Sequence, residues 1–524
     1  MEIIRTKACI VGSGVAGALC AKYLRKTVDD IVILERGANM SHAERLKTKR
    51  QEIEINTAIH RDVVFGDVPE KKIQYIYAVG GTTNHWMGQT PRFLPNDFRM
   101  KSAYGIMQDW PFSYEELEPF YCMAEQELGV AGGSDNPRVP RSKLLPMESH
   151  AFSPMDLLFK QCFPEGSIVS SPQSRPTRPV GDRPACCGSA TCSLCPVDSK
   201  YTTLNTHIPQ LEQMKSVRII PQKVVLYLQT DGKRKIKRAF ALGNHGEELW
   251  IEADLFILAA NALENPAIIL RSNDLKQHPS TGKYLFDHIN FTVVFLLNQK
   301  GFPGYGQSVF TGHCYQFYDG DFRRRHSAAL GEIHNPGHLP VGYFVQEAFQ
   351  EGLTGARLRE AVAARYEKPI VMNFLLEDFP DPERCIRIGK KSGELGIPET
   401  EIFYKKNSKY VVDGRNHILQ EMPAYVERLG VKQMIAGKLE DNTGHLLGTC
   451  RMGSYATGAV DSTLRYQEAE NLYGLGGSAF PTYSPSNPTL TIAALAIRLG
   501  MYLGNNRKGS AGFQPAGGLE VRGP

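Results

Sequence analysis

The sequence predicts an α/β fold: a Rossmann-like domain on a parallel sheet, interrupted by an inserted α+β domain on a mainly antiparallel sheet. Three observations predict it. An apolar, β-branched run at 7–11 leads into glycines, a helix-like run with small early residues follows at 16–26, and a second apolar run at 31–34 ends in Glu35. That is a strand–turn–helix–strand unit, which requires a parallel sheet and a right-handed crossover. Residues 290–435 instead alternate apolar and polar positions between turn signals such as Asp319-Gly320 and Pro380-Asp381-Pro382, the pattern of an antiparallel sheet. Finally, strand-like runs return at 255–260 and 471–475 and a helix-like run at 489–503, so the first domain resumes after the insertion.

The elements follow in order. Residues 1–289 form the first part of the nucleotide domain and include a Cys-rich loop at 183–200. Within it Asp231-Gly232 joins two strands as a hairpin, and the basic run 233–238 reads as a solvated strand face. Residues 290–435 form the substrate domain, with strands expected at 291–297, 341–345 and 370–375 and a helix at 358–366. Residues 436–504 return to the nucleotide domain. The Gly- and Pro-rich stretch 505–524 has little to bury and is expected to be disordered. No internal repeat is present.

Composition narrows the function classes. The chain has 524 residues, 42% hydrophobic and 22% charged, with a formal net charge of +5. This is globular usage, long enough for a core without disulfide staples, and neither disordered nor fibrous. The small net charge gives no reason to expect a nucleic-acid partner. No uncharged apolar run reaches the roughly 18 residues a spanning helix needs, so no transmembrane segment is expected. Residues 8–20 superficially read as a leader, but Gly12, Gly14 and Gly17 fall inside them at the spacing of a nucleotide-binding turn. The expectation is folding in the cytoplasm, with periplasmic export possible only beside a signal-bearing partner.

Gly12-Ser13-Gly14-Val15-Ala16-Gly17 matches G-x-G-x-x-G. Gly12 suits the tight turn, Gly14 lets backbone approach a pyrophosphate, and Gly17 allows close helix–strand packing. Glu35 stands at the end of the second strand, where an acid can bind ribose hydroxyls. The fingerprint alone does not separate NAD from FAD.

Eleven cysteines are present, and four crowd together as Cys186, Cys187, Cys192 and Cys195. Such a cluster does not resemble a secreted disulfide framework. Thiolates favour iron–sulfur clusters and zinc, and a local disulfide or free thiols is the third reading.

A second glycine-rich loop ends in His-Trp: Val79-Gly80-Gly81-Thr82-Thr83-Asn84-His85-Trp86. Late in the chain stand His445-Leu446-Leu447-Gly448-Thr449-Cys450 and Asn487-Pro488-Thr489-Leu490-Thr491. Together with the fingerprint and the Gly282-Lys283-Tyr284-Leu285-Phe286-Asp287-His288 stretch, these segments resemble the glucose–methanol–choline (GMC) oxidoreductase family. The loop at 80–86 and Asn487-Pro488-Thr489 look like pyranose oxidases. The stretch 92–98 and Asp109-Trp110-Pro111 look like the flavoprotein subunits of bacterial gluconate, fructose and glucose dehydrogenases.

The resemblance implies a GMC fold and a FAD-dependent oxidation of a sugar hydroxyl (pyranoside, aldose or sugar acid). His445 would be the base and Asn487 the amide that holds the oxygen; the plainer reading is a buried histidine and an Asn-Pro turn. It implies cofactor contacts by Gly80, Gly81, Thr82, Asn84, His85, the backbone at Val224, Gly476, Gly477 and Leu490. Gly476 and Gly477 replace the Asp-Ala that many members carry. His85 would either bond covalently to the flavin or pack beside it. By the same resemblance Cys187, Cys192 and Cys195, with Cys186 as the spare, would ligate a three-iron (3Fe-4S) cluster; the last pair is spaced by two residues where the dehydrogenases have three. Electrons would then pass to a cytochrome or other acceptor, with a small partner subunit expected. The alternatives are an oxidase that reduces O2 to peroxide, or a non-catalytic flavoprotein electron carrier.

Overall fold

A computed structural model describes residues 2–47, 62–68, 71, 75–299, 309–335, 341–392, 396–441 and 444–506. At the N-terminal run β1 (Glu2–Val11) pairs in parallel with β2 (Ile31–Leu34). All four residues of β2 are buried, as a strand covered on both faces requires. Between them the helix Val15–Leu24 buries nine of its residues, including Ala16, Ala18 and Ala21. The apolar helix Thr489–Asn506 packs against it. The approach is close because Gly500 meets Cys20: a Cβ there would lie 2.8 Å from the Cys20 carbonyl oxygen.

The sheet continues on both sides. β5 (Val217–Ile220) pairs in parallel with β2, and β8 (Glu248–Leu258) in parallel with β1. The last residues of β8 also pair in parallel with β16 (Leu472–Gly474), so the late part of the chain re-enters the first sheet. β6 (Lys223–Thr230) and β7 (Ile236–Gly243) form the antiparallel hairpin around Asp231-Gly232 and attach to the first half of β8.

A second sheet has the order β15-β9-β12-β11-β10-β4, antiparallel throughout. Its strands are β4 (Ile168–Ser170), β9 (Ile289–Leu297), β10 (Phe310–Cys314), β11 (Ala329–His334), β12 (Pro369–Leu376) and β15 (Val431–Ala436). The edge strand β4 comes from outside 290–435, so the inserted sheet recruits a strand from the first part of the chain. A small third sheet joins β3 (Asp62–Gly66), β13 (Cys385–Ser392) and β14 (Pro398–Tyr404).

One expected strand is corrected. Residues 341–345 belong to the helix Val341–Gln350. The apolar residues there suggested alternation, but the buried positions are Phe344 and Ala348, four apart, which is the helical repeat. Val341, Val345 and Phe349 lie on an exposed side. The expectation of a disordered tail concerns residues that, from 507 onward, lie outside the described ones.

Candidate active site

The two large sheets enclose a cavity of about 870 Å³, within the roughly 300–1,000 Å³ typical of small-molecule sites. One part of its wall is the N-terminal turn. Gly12 has φ +104°, and a Cβ there would lie 2.5 Å from the Ala259 carbonyl oxygen. A Cβ on Gly17 would come within 1.9 Å of the Gly12 carbonyl oxygen, so only glycine lets the helix sit this close to the turn. Gly14 differs: a Cβ there would meet nothing nearer than Gly81 Cα at 4.0 Å. It faces open cavity, and the helix behind it has no side-chain cap. Uncapped N–H groups at a helix start, beside room for a ligand, fit a pyrophosphate.

Glu35 lines this part of the cavity and also ties it together. Its Oε2 accepts from Ser13 N (2.9 Å) and Ser13 Oγ (2.6 Å), and its Oε1 from Gly37 N (2.8 Å). Burial pushes its carboxyl above the usual range, against the pull of these hydrogen bonds. Ser13 Oγ in turn accepts from Gly80 N at 3.0 Å, which docks the second glycine loop on the first. Gly81, Thr82 and His85 of that loop reach the cavity wall, as do Val224, Gly476 and Gly477. These residues suit an elongated dinucleotide with a flat ring system at one end.

Four of the expected cofactor contacts stand behind the wall instead. Gly17 packs against the turn, and Gly80 lies beneath its neighbour against Leu204. Asn84 turns inward: its Nδ2 donates to Val79 O (3.0 Å) and its Oδ1 accepts from Arg45 (3.0 Å). Leu490 is fully buried in the core, while Thr489 and Ile492 face the cavity. These positions shape the cradle and do not line it.

His445 and Asn487 do meet the same cavity. His445 is fixed from several sides. Its backbone N–H donates to Asp287 Oδ1 (2.8 Å), and its carbonyl accepts from Tyr483 OH (3.2 Å). Asp287 Oδ2 forms a buried ion pair with Lys71 at 2.8 Å. The ring Nδ1 lies 2.8 Å from His288 Nδ1.

Hydrogen-bond chemistry sets the tautomers. His288 Nε2 lies 2.7 Å from the Ser484 carbonyl oxygen, which can only accept, so Nε2 carries the hydrogen. Burial, and then the neighbouring His445, hold His288 well below the usual histidine range, so it is neutral and its Nδ1 is a lone pair. That lone pair accepts from His445 Nδ1–H. The free lone pair of His445 is therefore on Nε2. Burial lowers the His445 pKa from its ordinary value, and Asp287 partly offsets this. The result is a neutral imidazole in one defined tautomer.

Asn487 is held by Glu332, with Nδ2 donating to Glu332 Oε1 at 3.4 Å. Glu332 belongs to a polar row across the second sheet. The register pairs His313 with Glu332, Glu332 with Asn373, and Asn373 with Thr292. Asn373 Nδ2 donates to Glu332 Oε2 (3.0 Å), and Thr292 Oγ1 donates to Asn373 Oδ1 (3.2 Å). Gln89 bridges the other end: its Nε2 donates to Glu332 Oε1 (2.5 Å) and its Oε1 accepts from His313 Nε2 (2.5 Å). Asn290, Thr292, Glu332, His334 and Asn373 all line the cavity.

Sequence reasoning missed this row and His288. The signal for the row was single polar residues inside apolar strands, such as Asn373 in PIVMNFLL. His288 lay within a motif already quoted, but nothing local linked it to His445.

The cysteine loop is a separate polar region. Cys192 is buried, Cys186 and Cys195 are partly buried, and Cys187 is exposed. Arg175 Nη1 donates to Cys192 Sγ at 2.5 Å. Burial pushes the Cys192 thiol up, but Arg175 and other hydrogen bonds outweigh it and hold the thiol below its usual value. Lys200 Nζ donates to the carbonyls of Trp86 (2.6 Å) and Ser193 (3.0 Å), and burial lowers its pKa to about 7. Among the described residues no group of three or more His, Cys, Asp or Glu side chains is arranged to hold a metal ion. The four thiols as placed are not gathered into the ligand set expected for an iron–sulfur cluster.

Known proteins similar to this chain are oxidoreductases. The family model described as GMC oxidoreductase matches residues 402–496, which include His445 and Asn487. The chain is 28% identical to the fructose dehydrogenase large subunit of Gluconobacter japonicus, over 95% of this chain and 97% of that one. It is 24% identical to the 2-methyl-1,2-propanediol dehydrogenase of Mycolicibacterium austroafricanum, over 95% of each. The crystal structure of pyridoxine 4-oxidase from Mesorbium loti shares the fold, with a TM-score of 0.62 at 17% identity, covering 95% of this chain and 99% of that one. A nucleotide cradle and a histidine–asparagine pair on one cavity thus stand in a chain that is similar to GMC oxidoreductases over residues 402–496 and to the named oxidoreductases along nearly its whole length.

Proposed function

We propose that this protein is a FAD-dependent dehydrogenase that oxidises a hydroxyl-bearing carbon of a sugar or related polyol. The observation that carries the reading is the meeting of His445 and Asn487 on the wall of a cavity that begins at the Gly12–Gly17 turn. The first helix start and Gly14 would hold the pyrophosphate, Glu35 and Val224 the ribose and adenine, and Gly81, Thr82, His85, Gly476 and Gly477 the ring system. When bound, FAD supplies the hydride acceptor.

The chain's own residues handle the proton and the oxygen. Oxidising a carbinol releases a proton from oxygen, and the Nε2 lone pair of His445 receives it. The imidazolium that results keeps its Nδ1–H bond to His288 and lies near the Asp287 carboxylate, which favours the charged form. Asn487 Nδ2 has a second hydrogen beyond the one given to Glu332, and it holds the oxygen as negative charge develops. The polar row gives a polyhydroxylated substrate donors and acceptors that a simple alcohol does not need. Two relatives named for fructose and a diol support that substrate class, and both are named dehydrogenases.

The cysteine loop enters no step of this proposal, and among the described residues its thiols are not gathered into a metal site. A covalent bond from His85 to the flavin belongs to the proposal as an open choice against simple packing; colour that stays with acid-precipitated protein supports the bond, and colour in the supernatant refutes it. The main test is anaerobic mixing of holoenzyme with a panel of pyranosides and polyols. Bleaching of the flavin by at least one, with reoxidation by an artificial acceptor but no peroxide from O2, is expected. Rapid peroxide formation would make it an oxidase, and a flavin that no hydroxylated substrate bleaches would overturn the reading.

A further inference from the structure

The substrate part of the cavity holds a carboxyl group that has hydrogen bonds but, among the described residues, no countercharge. Glu332 is 3% exposed. Its two oxygens accept from Gln89 Nε2, Asn373 Nδ2 and Asn487 Nδ2, so three of about four acceptor positions are filled. All three partners are neutral amides. The nearby His313 is neutral too: burial, and then Arg175, push it down to about 3. No ion pair involves Glu332 among the described residues. Buried carboxylates are ordinarily paired with a cation, since desolvated charge is costly even when its hydrogen bonds are complete.

The rest of the lining sharpens the point. Among the described residues that line the cavity, the only lysine and arginine are Lys223 and Arg36. Both belong to the nucleotide half, and each has its own acid: Arg36 pairs with Glu264 at 2.7 Å and Lys223 with Glu247 at 3.9 Å. On the sheet that carries the polar row, the charged lining residue is Glu332, and Glu440 joins it from the segment that pairs with Asn290. A wall of this kind repels a carboxylate and lacks what a cation would bring.

We infer that the substrate supplies the missing positive charge: Glu332 selects a polyol that bears a protonated amine, such as an amino sugar, and rejects a sugar acid. The inference rests on the polyol reading above and narrows it. Glu332 is a specificity residue here. It contacts the substrate's ammonium group while its amide partners keep it aimed at the cavity.

The test uses holoenzyme and matched compounds that differ only in charge: amino-deoxy methyl glucosides, methyl glucoside and methyl glucuronide. A non-sugar series of 2-aminoethanol, ethylene glycol and glycolate runs beside it. Flavin bleaching gives kcat/KM, and the change in flavin fluorescence on mixing gives binding whether or not reaction follows. The cationic member of at least one series should exceed the neutral one by about tenfold or more, with the anionic member last. Glu332→Gln should collapse that ratio to within about threefold, and Glu332→Asp, which keeps the charge, should preserve its direction. Equal or reversed ranking in wild-type protein overturns the inference even if Glu332→Gln fails to fold. A ratio that survives in a folded Glu332→Gln also overturns it. If the sugars neither bind nor react while the short amino alcohol is preferred, the sugar reading falls and the charge inference stands.

Discussion

Two buried polar regions lie close together in this chain and are built on opposite plans. Around the cavity, imidazoles and amides are chained from Ser484 through His288 to His445 and from His313 through Gln89 to Glu332, although among the described residues His313 Nδ1 and Asn487 Oδ1 find no hydrogen-bond partner. In the cysteine loop Arg175 and Lys200 confront thiols; among the described residues Arg175 Nε and Nη2 find no hydrogen-bond partner, and burial lowers the Lys200 pKa to about 7. Phe310 touches both, lining the cavity and packing on Cys192. A chain of fully determined hydrogen bonds fixes which atom can take a proton. A cluster of unmatched charges fixes nothing of the kind. On the function proposed above, the first region carries the substrate chemistry and the second takes no part in it.

The largest effect should come from the atom the first region is built to present. His445→Ala should retain FAD yet slow anaerobic flavin reduction by roughly 10²–10⁴-fold, the usual worth of a positioned base. A rate within about twofold of wild type in stopped-flow mixing would remove the base assignment.

His288 should matter less and in a more diagnostic way. His288→Phe removes the acceptor for His445 Nδ1–H and should slow reduction by roughly 10–100-fold. His288→Asn keeps a carbonyl acceptor at that place and should recover a substantial part of the rate. Equal damage from both variants would mean that His288 fills space only.

The pH profile sharpens the same point. His445 must be neutral to accept a proton, and burial lowers its pKa. Reduction should therefore be flat near neutrality and fall as pH drops, with the limb below the ordinary histidine value of about 6.5. A limb above that value contradicts the burial argument.

The smallest effect belongs to the cysteine loop. Replacing Cys186, Cys187, Cys192 and Cys195 together by Ser should leave the rate of flavin reduction by substrate within about twofold. Iron and sulfide analysis of anaerobically purified wild-type protein reads the loop directly. Stoichiometric iron and sulfide would show that the thiols rearrange around a cluster, and a slowed reduction in the quadruple variant would tie the loop to the chemistry.

How much could be read beforehand follows the range of the interactions. The Gly12–Gly17 turn was legible because its requirements are local: a φ of +104° at Gly12 and a helix that approaches to within one Cβ at Gly17. Glu35 was legible as a residue of the cavity, though not its clamping of Ser13 and Gly37. His445 and Asn487 came from the resemblance, since nothing in either sequence neighbourhood alone implies that they meet. The polar row was invisible because it exists only once β9, β10, β11 and β12 take their register. Residues 341–345 misled because five residues are too few to separate a period of two from one of nearly four. Asn84 and Leu490 sit in the right motifs, yet their side chains turn inward, which a motif does not encode.

The Ser484 carbonyl has one more consequence. It orients His288, which orients His445, and Asn487 follows only three residues later. As the polypeptide leaves the ribosome, both histidines emerge before the short stretch that tells them which nitrogen keeps its hydrogen. Until that stretch docks, neither ring has the partner that settles its hydrogen, so one carbonyl near the end of the chain sets the state of two side chains made well before it.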